Sequence, residues 1–77
     1  MSMLIDGREM VPPEPMEATL SALDSLAIGE TLTLLLYCQP VPLFNALRRN
    51  GYVWQEQILE DGTHSITIRQ ATNPPSD

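Results

Sequence analysis

The stretch that decides the fold is ETLTLLLY, residues 30–37. It begins with alternating polar and apolar side chains and ends in a continuous apolar run. Alternation predicts a strand with one buried face, and a continuous apolar run predicts that the second face is partly covered as well. We therefore expect an inner strand of a sheet at this point of the chain.

Before this strand, the sequence predicts a shorter strand and a helix. Residues 3–6 are a short apolar run that Gly7 ends, which is typical of a first strand. Either Pro13 or Pro15 suits the first turn of a helix, and Gly29 is placed as the residue just after its end. Between them, apolar positions recur at spacings of four, three and four residues: Met16, Leu20, Leu23 and Ala27.

After the inner strand, the sequence predicts a second helix and a hairpin. Leu43, Phe44 and Leu47 form the apolar stripe of a helix that Gly51 can cap. Residues 52–59 and 65–69 are rich in β-forming residues, and an Asp-Gly pair at 61–62 lies between them. Asp-Gly is a strong hairpin signal, so the last two strands should be antiparallel neighbours.

This element order predicts an α/β (α+β) two-layer sandwich of the type βαβαββ. Each strand–helix–strand passage should be a right-handed crossover, which makes the first three strands parallel and places both helices on one face of a four-stranded mixed sheet. We expect a single domain over residues 1–70. Residues 71–77 contain two prolines and no periodicity, so we expect a disordered tail there.

The composition narrows the function classes. The 77 residues include four basic and ten acidic side chains, for a net charge of −6, which disfavours nucleic acid as a partner. No signal peptide or membrane span is visible, so we expect a cytoplasmic protein with no membrane partner. A single cysteine, Cys38, forms neither an internal disulfide nor a cysteine-only zinc site, and we expect no metal and no cofactor.

The predicted topology brings three loops to one edge of the sheet, where the parallel strands end. Ligands of open α/β sheets usually bind at this edge. The residues that we expect to form a binding surface there are Pro12, Pro13, Glu14, Pro15, Glu17, Tyr37, Cys38, Gln39, Pro40 and His64.

Two motifs resemble the TusA/SirA-like sulfur-carrier family. Residues 5–15, IDGREMVPPEP, resemble that family's opening, in which a hydrophobic residue, Asp, any residue, Arg, Gly, Leu and any residue precede Cys-Pro-x-Pro. Residues 29–32, GETL, resemble the start of its second strand. The resemblance covers about residues 4–70 and implies the βαβαββ fold. In that family the motif cysteine carries a persulfide and hands the sulfur to a partner protein.

The chain departs from this family at the cysteine itself. The cysteine position falls on Pro12, the two motif prolines on Pro13 and Pro15, and the residue between them on Glu14. Sulfur carriage needs a thiolate, and proline has no nucleophilic atom. The position of the family's glycine is occupied here by Glu9, which adds negative charge. The chain therefore resembles a cysteine-less branch, similar to small bacterial domains catalogued as a domain of unknown function.

These observations predict a non-catalytic protein-interaction or regulatory module rather than an enzyme. Its partner would be another protein, and the chain itself would be a monomer or a weak homodimer. If the predicted third strand, residues 52–59, lies at a sheet edge, its face carrying Tyr52, Trp54 and Ile58 is a candidate for pairing with a second chain.

The alternative is a sulfur-transfer or thiol-redox protein that uses Cys38. If the sheet order is first, second, fourth, third strand, His64 would lie across from Cys38, and the pair could form a reactive thiolate. Free cysteines more often pack as small hydrophobic groups. A metal site that adds Asp61 to this pair is a weaker signal. A small-ligand binder is disfavoured, since a sandwich of this size should lack a pocket of roughly 300 Å³ or more.

Overall fold

The computed structural model describes residues 2–71 and contains the six predicted elements. They are β1 (Ser2–Asp6), α1 (Glu14–Leu23), β2 (Thr31–Leu36), α2 (Val41–Arg49), β3 (Tyr52–Ile58) and β4 (His64–Gln70). The predicted disordered tail lies outside the described residues, apart from Ala71. No helix within residues 2–71 has the length and apolar character that crossing a bilayer requires.

The four strands form one mixed sheet in the order β1-β2-β4-β3. β1 and β2 are parallel, and β4 runs antiparallel to both β2 and β3, so the first three strands point the same way. The leucines at 32, 34 and 36 of β2 are buried, and the residues between them are half-buried. The predicted inner strand, hairpin and two-layer α/β sandwich are confirmed.

The core lies between one face of the sheet and the two helices. Its buried members come from β2, β4, both helices and the turn after α1: Leu23, Leu26, Leu32, Leu34, Leu36, Leu43, Phe44, Leu47, Ile66 and Ile68. Trp54 of β3 extends this core toward the sheet edge, because its ring stacks on Phe44 with centroids 4.7 Å apart and planes 13° apart. The Arg48 guanidinium lies 5.7 Å from the Trp54 ring centroid, which adds a cation–π contact.

β3 is an edge strand, as the pairing hypothesis required. Its residues Tyr52 and Trp54 are nevertheless half-buried against the helical layer. The Tyr52 hydroxyl donates a hydrogen bond to the Leu23 carbonyl at 3.2 Å. Ile58 remains 64% exposed. Two of the three side chains in the hypothesis therefore stabilise the fold itself.

Helix α1 ends at Leu23, four residues before Ala27. The prediction that the apolar positions of this helix extend to Ala27 was therefore wrong. Side chains from distant strands donate hydrogen bonds to carbonyl groups near this end of the helix. The Tyr52 hydroxyl donates to the Leu23 carbonyl, and the Gln70 amide donates to the Leu26 carbonyl at 2.6 Å. The chain then turns, and Ala27 is exposed. Gly29 belongs to the following turn and is not the helix cap.

Helix α2 ends as predicted. Its C-cap is Asn50, and Gly51 follows with a φ of +81°. This left-handed conformation strains residues that have a Cβ, which explains the glycine. The arginines at 48 and 49 occupy the last turn, where the helix dipole is negative.

Candidate functional site

The predicted edge of the sheet contains a groove of about 510 Å³ between the starts of the two helices. We call it the proline-walled groove. Its lining comes from the β1–α1 turn, the start of α1, the end of β2 and the β2–α2 turn: Gly7, Arg8, Met10, Pro12, Pro13, Pro15, Met16, Leu34, Leu36, Tyr37, Cys38, Gln39, Pro40, Pro42 and Leu43. The expectation that so small a sandwich has no room for a pocket was wrong.

Prolines stiffen both walls of this groove. Pro12, Pro13 and Pro15 lie on the α1 side, with a cis peptide bond between the first two, and Pro40 and Pro42 lie on the α2 side. Both helices carry proline in their first turn and have no side-chain cap. Because proline fixes φ and lacks an N–H group, these walls are rigid and offer few hydrogen-bond donors. The groove is therefore suited to apolar groups rather than to anions.

Gly7 lets the β1–α1 turn lie directly on β2. Its N–H donates to the Leu35 carbonyl at 2.8 Å. A Cβ at this position would lie 2.9 Å from Leu36 Cδ2, which is closer than packed atoms tolerate, and 3.3 Å from Pro15 Cβ, which is a tight contact. The sequence pattern indicated Gly7 only as the end of a strand, and its part in shaping the groove was missed.

Arg8 carries a positive charge at the groove, but the carboxylates of Asp6 and Asp61 are paired with it. Its Nε and Nη2 donate to the two carboxylate oxygens of Asp6 at 2.9 and 2.8 Å. These bonds lower the pKa of Asp6 to about 2. Arg8 Nη1 also lies 3.9 Å from Oδ2 of Asp61. The pKa of Asp61 is lowered by hydrogen bonding from Thr63, whose N–H donates to Oδ1 at 3.0 Å, and by the nearby guanidinium.

His64 pairs with a carboxylate and not with Cys38. Its Nδ1 lies 2.7 Å from Oε2 of Glu56, and the Gln39 amide donates to Oε1 of Glu56 at 2.8 Å. The bond to His64, followed by that from Gln39, lowers the pKa of Glu56. Within residues 2–71, Cys38 and His64 share no hydrogen bond. The predicted Cys38–His64 pair is therefore not formed in this structure.

Cys38 itself is exposed and lines the groove. It follows β2 and precedes α2, as predicted. Among the described residues, no three His, Cys, Asp or Glu side chains converge as a metal site would require.

The structure places most of the residues predicted for the binding surface in the groove and the others outside its lining. Seven of the predicted residues line the groove: Pro12, Pro13, Pro15, Tyr37, Cys38, Gln39 and Pro40. Glu14 and Glu17 are exposed on the first turn of α1, beside lining residues, and His64 lies on β4 with Glu56. Met10, Met16 and Leu43 also line the groove, and no sequence pattern had indicated them.

Comparisons with known proteins agree with this architecture. A family model described as "Uncharacterized conserved protein (DUF2249)" matches residues 4–70. The crystal structure of a SirA-like protein from Desulfitobacterium hafniense matches with a TM-score of 0.79 and 23% identity, over 94% of this chain and 100% of that chain. A search of curated proteins gave no match.

The family model spans most of the chain, so the chain belongs to the DUF2249 family. The likeness to the SirA-like structure shows a shared fold, and the predicted resemblance to the TusA/SirA-like fold is confirmed.

Proposed function

We propose that this chain, as a member of the DUF2249 family, is a non-catalytic binding module that holds an apolar segment of a partner protein in the proline-walled groove. The observation that carries the proposal is the groove itself. Its volume of about 510 Å³ lies within the roughly 300–1,000 Å³ of typical ligand sites, and its floor is formed by core leucines. No thiol occupies the position of the sulfur carriers' cysteine, because Pro12 stands there.

Rigidity supports binding rather than chemistry at this site. A wall whose backbone is fixed before binding loses little conformational entropy when a partner docks. Five prolines line this groove. Gly7 adds to the rigidity, since the turn that follows it is packed against β2 without a gap. Burial of apolar surface would then supply the affinity, at about 25 cal/mol per Å² before the costs of association are subtracted.

The proposal is tested by filling the groove. We would immobilise the wild-type chain and two tryptophan variants, and quantify the proteins that each retains from a lysate. Cys38→Trp places an indole in the groove. Ser21→Trp is the matched control, because Ser21 is exposed and lines a separate cavity of about 370 Å³ near the C-terminal ends of the helices.

A groove-binding partner is retained by the wild-type chain and by Ser21→Trp, and is lost from Cys38→Trp. Equal retention by all three folded chains would contradict the proposal. Circular dichroism of each variant shows whether it is folded.

A second function is favoured by the exposure of Cys38 in the same groove. A thiol there could accept sulfur from a donor and pass it on, which is the predicted alternative. The surrounding carboxylates repel an anionic sulfur group, and His64 is engaged with Glu56, so we place this function second.

The thiol function has its own test. After incubation with inorganic polysulfide, mass spectrometry should detect a single added sulfur atom on the wild-type chain and none on Cys38→Ser. Transfer of that sulfur to a second thiol would support the thiol function. An unmodified wild-type chain would exclude it.

A further inference from the structure

We propose that the segment held in the groove is basic as well as apolar: a stretch of a partner protein with lysines or arginines on either side of its apolar side chains. This inference rests on the proposed function and identifies the class of partner. It is carried by the carboxylates beside the α1 side of the groove and by the position of the chain's arginines.

Three carboxylates lie beside the proline-walled groove, on the side formed by the β1–α1 turn and the start of α1. Glu9 lies between the lining residues Arg8 and Met10, Glu14 between Pro13 and Pro15, and Glu17 directly after Met16. All three glutamates are exposed. None of them takes part in a salt bridge within residues 2–71. Their charge is therefore available to a partner. We refer to these three side chains as the acidic rim.

The positive charge at this edge is already neutralised. Arg8 makes a two-point hydrogen bond with Asp6 and lies within salt-bridge distance of Asp61. The three groups together carry a net charge of −1 (one guanidinium and two carboxylates), so they add to the negative field of the acidic rim. An acidic segment would thus meet repulsion here, and a basic one attraction.

The remaining arginines lie at the other end of the molecule. Arg48 and Arg49 occupy the last turn of α2, and Arg69 is the penultimate residue of β4, which starts at the groove edge and runs away from it. The chain therefore has a charge asymmetry along the strands, with its negative end at the groove. Such a field steers positively charged partners toward this site.

Helix stability offers a competing explanation for part of the acidic rim. Glu14 and Glu17 are in the first turn of α1, where negative charge complements the helix dipole. Glu9 precedes the helix by five residues and has no such role. The two explanations differ in what they predict, because a dipole effect changes stability and a recognition effect changes binding.

The test uses three synthetic peptides of equal length and apolar content: leucine with lysine, leucine with glutamine, and leucine with glutamate. Their affinities for the full chain are measured by fluorescence anisotropy at low and at physiological salt. We expect the lysine peptide to bind most tightly, the glutamate peptide to bind least, and the difference to shrink as salt rises.

Two double variants remove the same charge from different places. Glu14→Gln with Glu17→Gln neutralises two of the three carboxylates of the acidic rim, and Asp24→Asn with Glu30→Gln neutralises two carboxylates at the far end. The first double variant should weaken the affinity for the lysine peptide by roughly 2- to 25-fold, since each rim charge contributes about 0.2–1 kcal/mol to the binding free energy. The second should leave its affinity unchanged. Thermal unfolding of both variants separates a stability effect from a binding effect.

The outcomes distinguish this inference from the function on which it rests. If the lysine and glutamine peptides bind equally well and Cys38→Trp abolishes both, the groove binds apolar segments without charge preference, and only the inference fails. If no peptide binds, or if Cys38→Trp changes nothing, the proposed function fails as well. Equal weakening by the two double variants would also overturn the inference.

Discussion

Nδ1 of His64 lies 2.7 Å from Oε2 of Glu56, between neighbouring antiparallel strands. Because a carboxylate only accepts hydrogen bonds, Nδ1 carries a proton in this contact. The second oxygen of Glu56 accepts from Gln39, which lines the groove. The chain of contacts therefore connects one wall of the groove to the edge strand of the sheet, and the only histidine acts as a structural partner in it.

Removal of the imidazole should raise the pKa of Glu56. His64→Gln eliminates the contact that lowers this pKa most, and the Gln39 bond remains. In the wild-type chain this carboxylate contributes stability above its ordinary pKa of 4.5, and the contribution is lost as pH falls through the lowered value. Carboxyl NMR titration measures the change. Gln57→Ala, on the opposite face of β3, is the control and should leave the Glu56 titration unchanged.

Alanine at position 7 should destabilise the fold. Its Cβ would lie 2.9 Å from Leu36 Cδ2 and 3.3 Å from the Leu35 carbonyl oxygen, so the buried Leu36 side chain or the β1–α1 turn must shift. We expect a loss of about 1–3 kcal/mol in the free energy of unfolding, measured by urea denaturation. Glu9→Ala, in the same turn and exposed, should change it by less than about 0.5 kcal/mol. Equal effects of the two variants would contradict the close-packing account.

The Asp6 carboxyl should titrate far below its ordinary range because of Arg8. Its pKa of about 2 should return toward 3.8 in Arg8→Gln, whereas Arg69→Gln should have no effect. A lowered pKa stabilises the fold above the ordinary value, and this stabilisation disappears as pH falls toward 2. NMR titration of the Asp6 side chain gives the result. A titration near 2 that persists in Arg8→Gln would show that another group is responsible.

The stack of Phe44 on Trp54 should contribute beyond its buried area. Phe44→Leu keeps an apolar side chain but removes the aromatic pair, which is worth about 0.5–1.5 kcal/mol. A double-mutant cycle with Trp54→Leu isolates that coupling. Trp54 is the only tryptophan, so Phe44→Leu should also change the intrinsic fluorescence of the native chain. A coupling energy near zero would show that the rings merely fill space.

The fold was predictable because its signals are local. Alternation in β2, the apolar stripe of α2 and the Asp-Gly pair of the hairpin each lie within a few residues of one another. The end of α1 was not predictable in this way. Tyr52 donates to the Leu23 carbonyl at the end of the helix, and Gln70 donates to the Leu26 carbonyl just beyond it. Both donors are far away in the sequence and reach these carbonyls only in the folded sheet.

The location of the site could be predicted from the sequence, but the shape of the groove could not. Proline spacing and topology indicated the edge on which the groove lies. Its volume depends on how closely the turn at Gly7 approaches β2, and that distance is a tertiary property. The partner of His64 was also missed, although Glu56 lies only eight residues away. The hairpin register that brings the two together follows from the turn geometry.

The most direct test of the binding groove is an amide NMR titration of the isotope-labelled chain with the leucine–lysine peptide. The groove-binding account predicts saturable shifts at the lining residues that have an amide proton, above all Gly7, Met16, Cys38 and Leu43. Saturable shifts confined to the far cavity around Asn50 and Tyr52, or no saturable shifts at all, would contradict it.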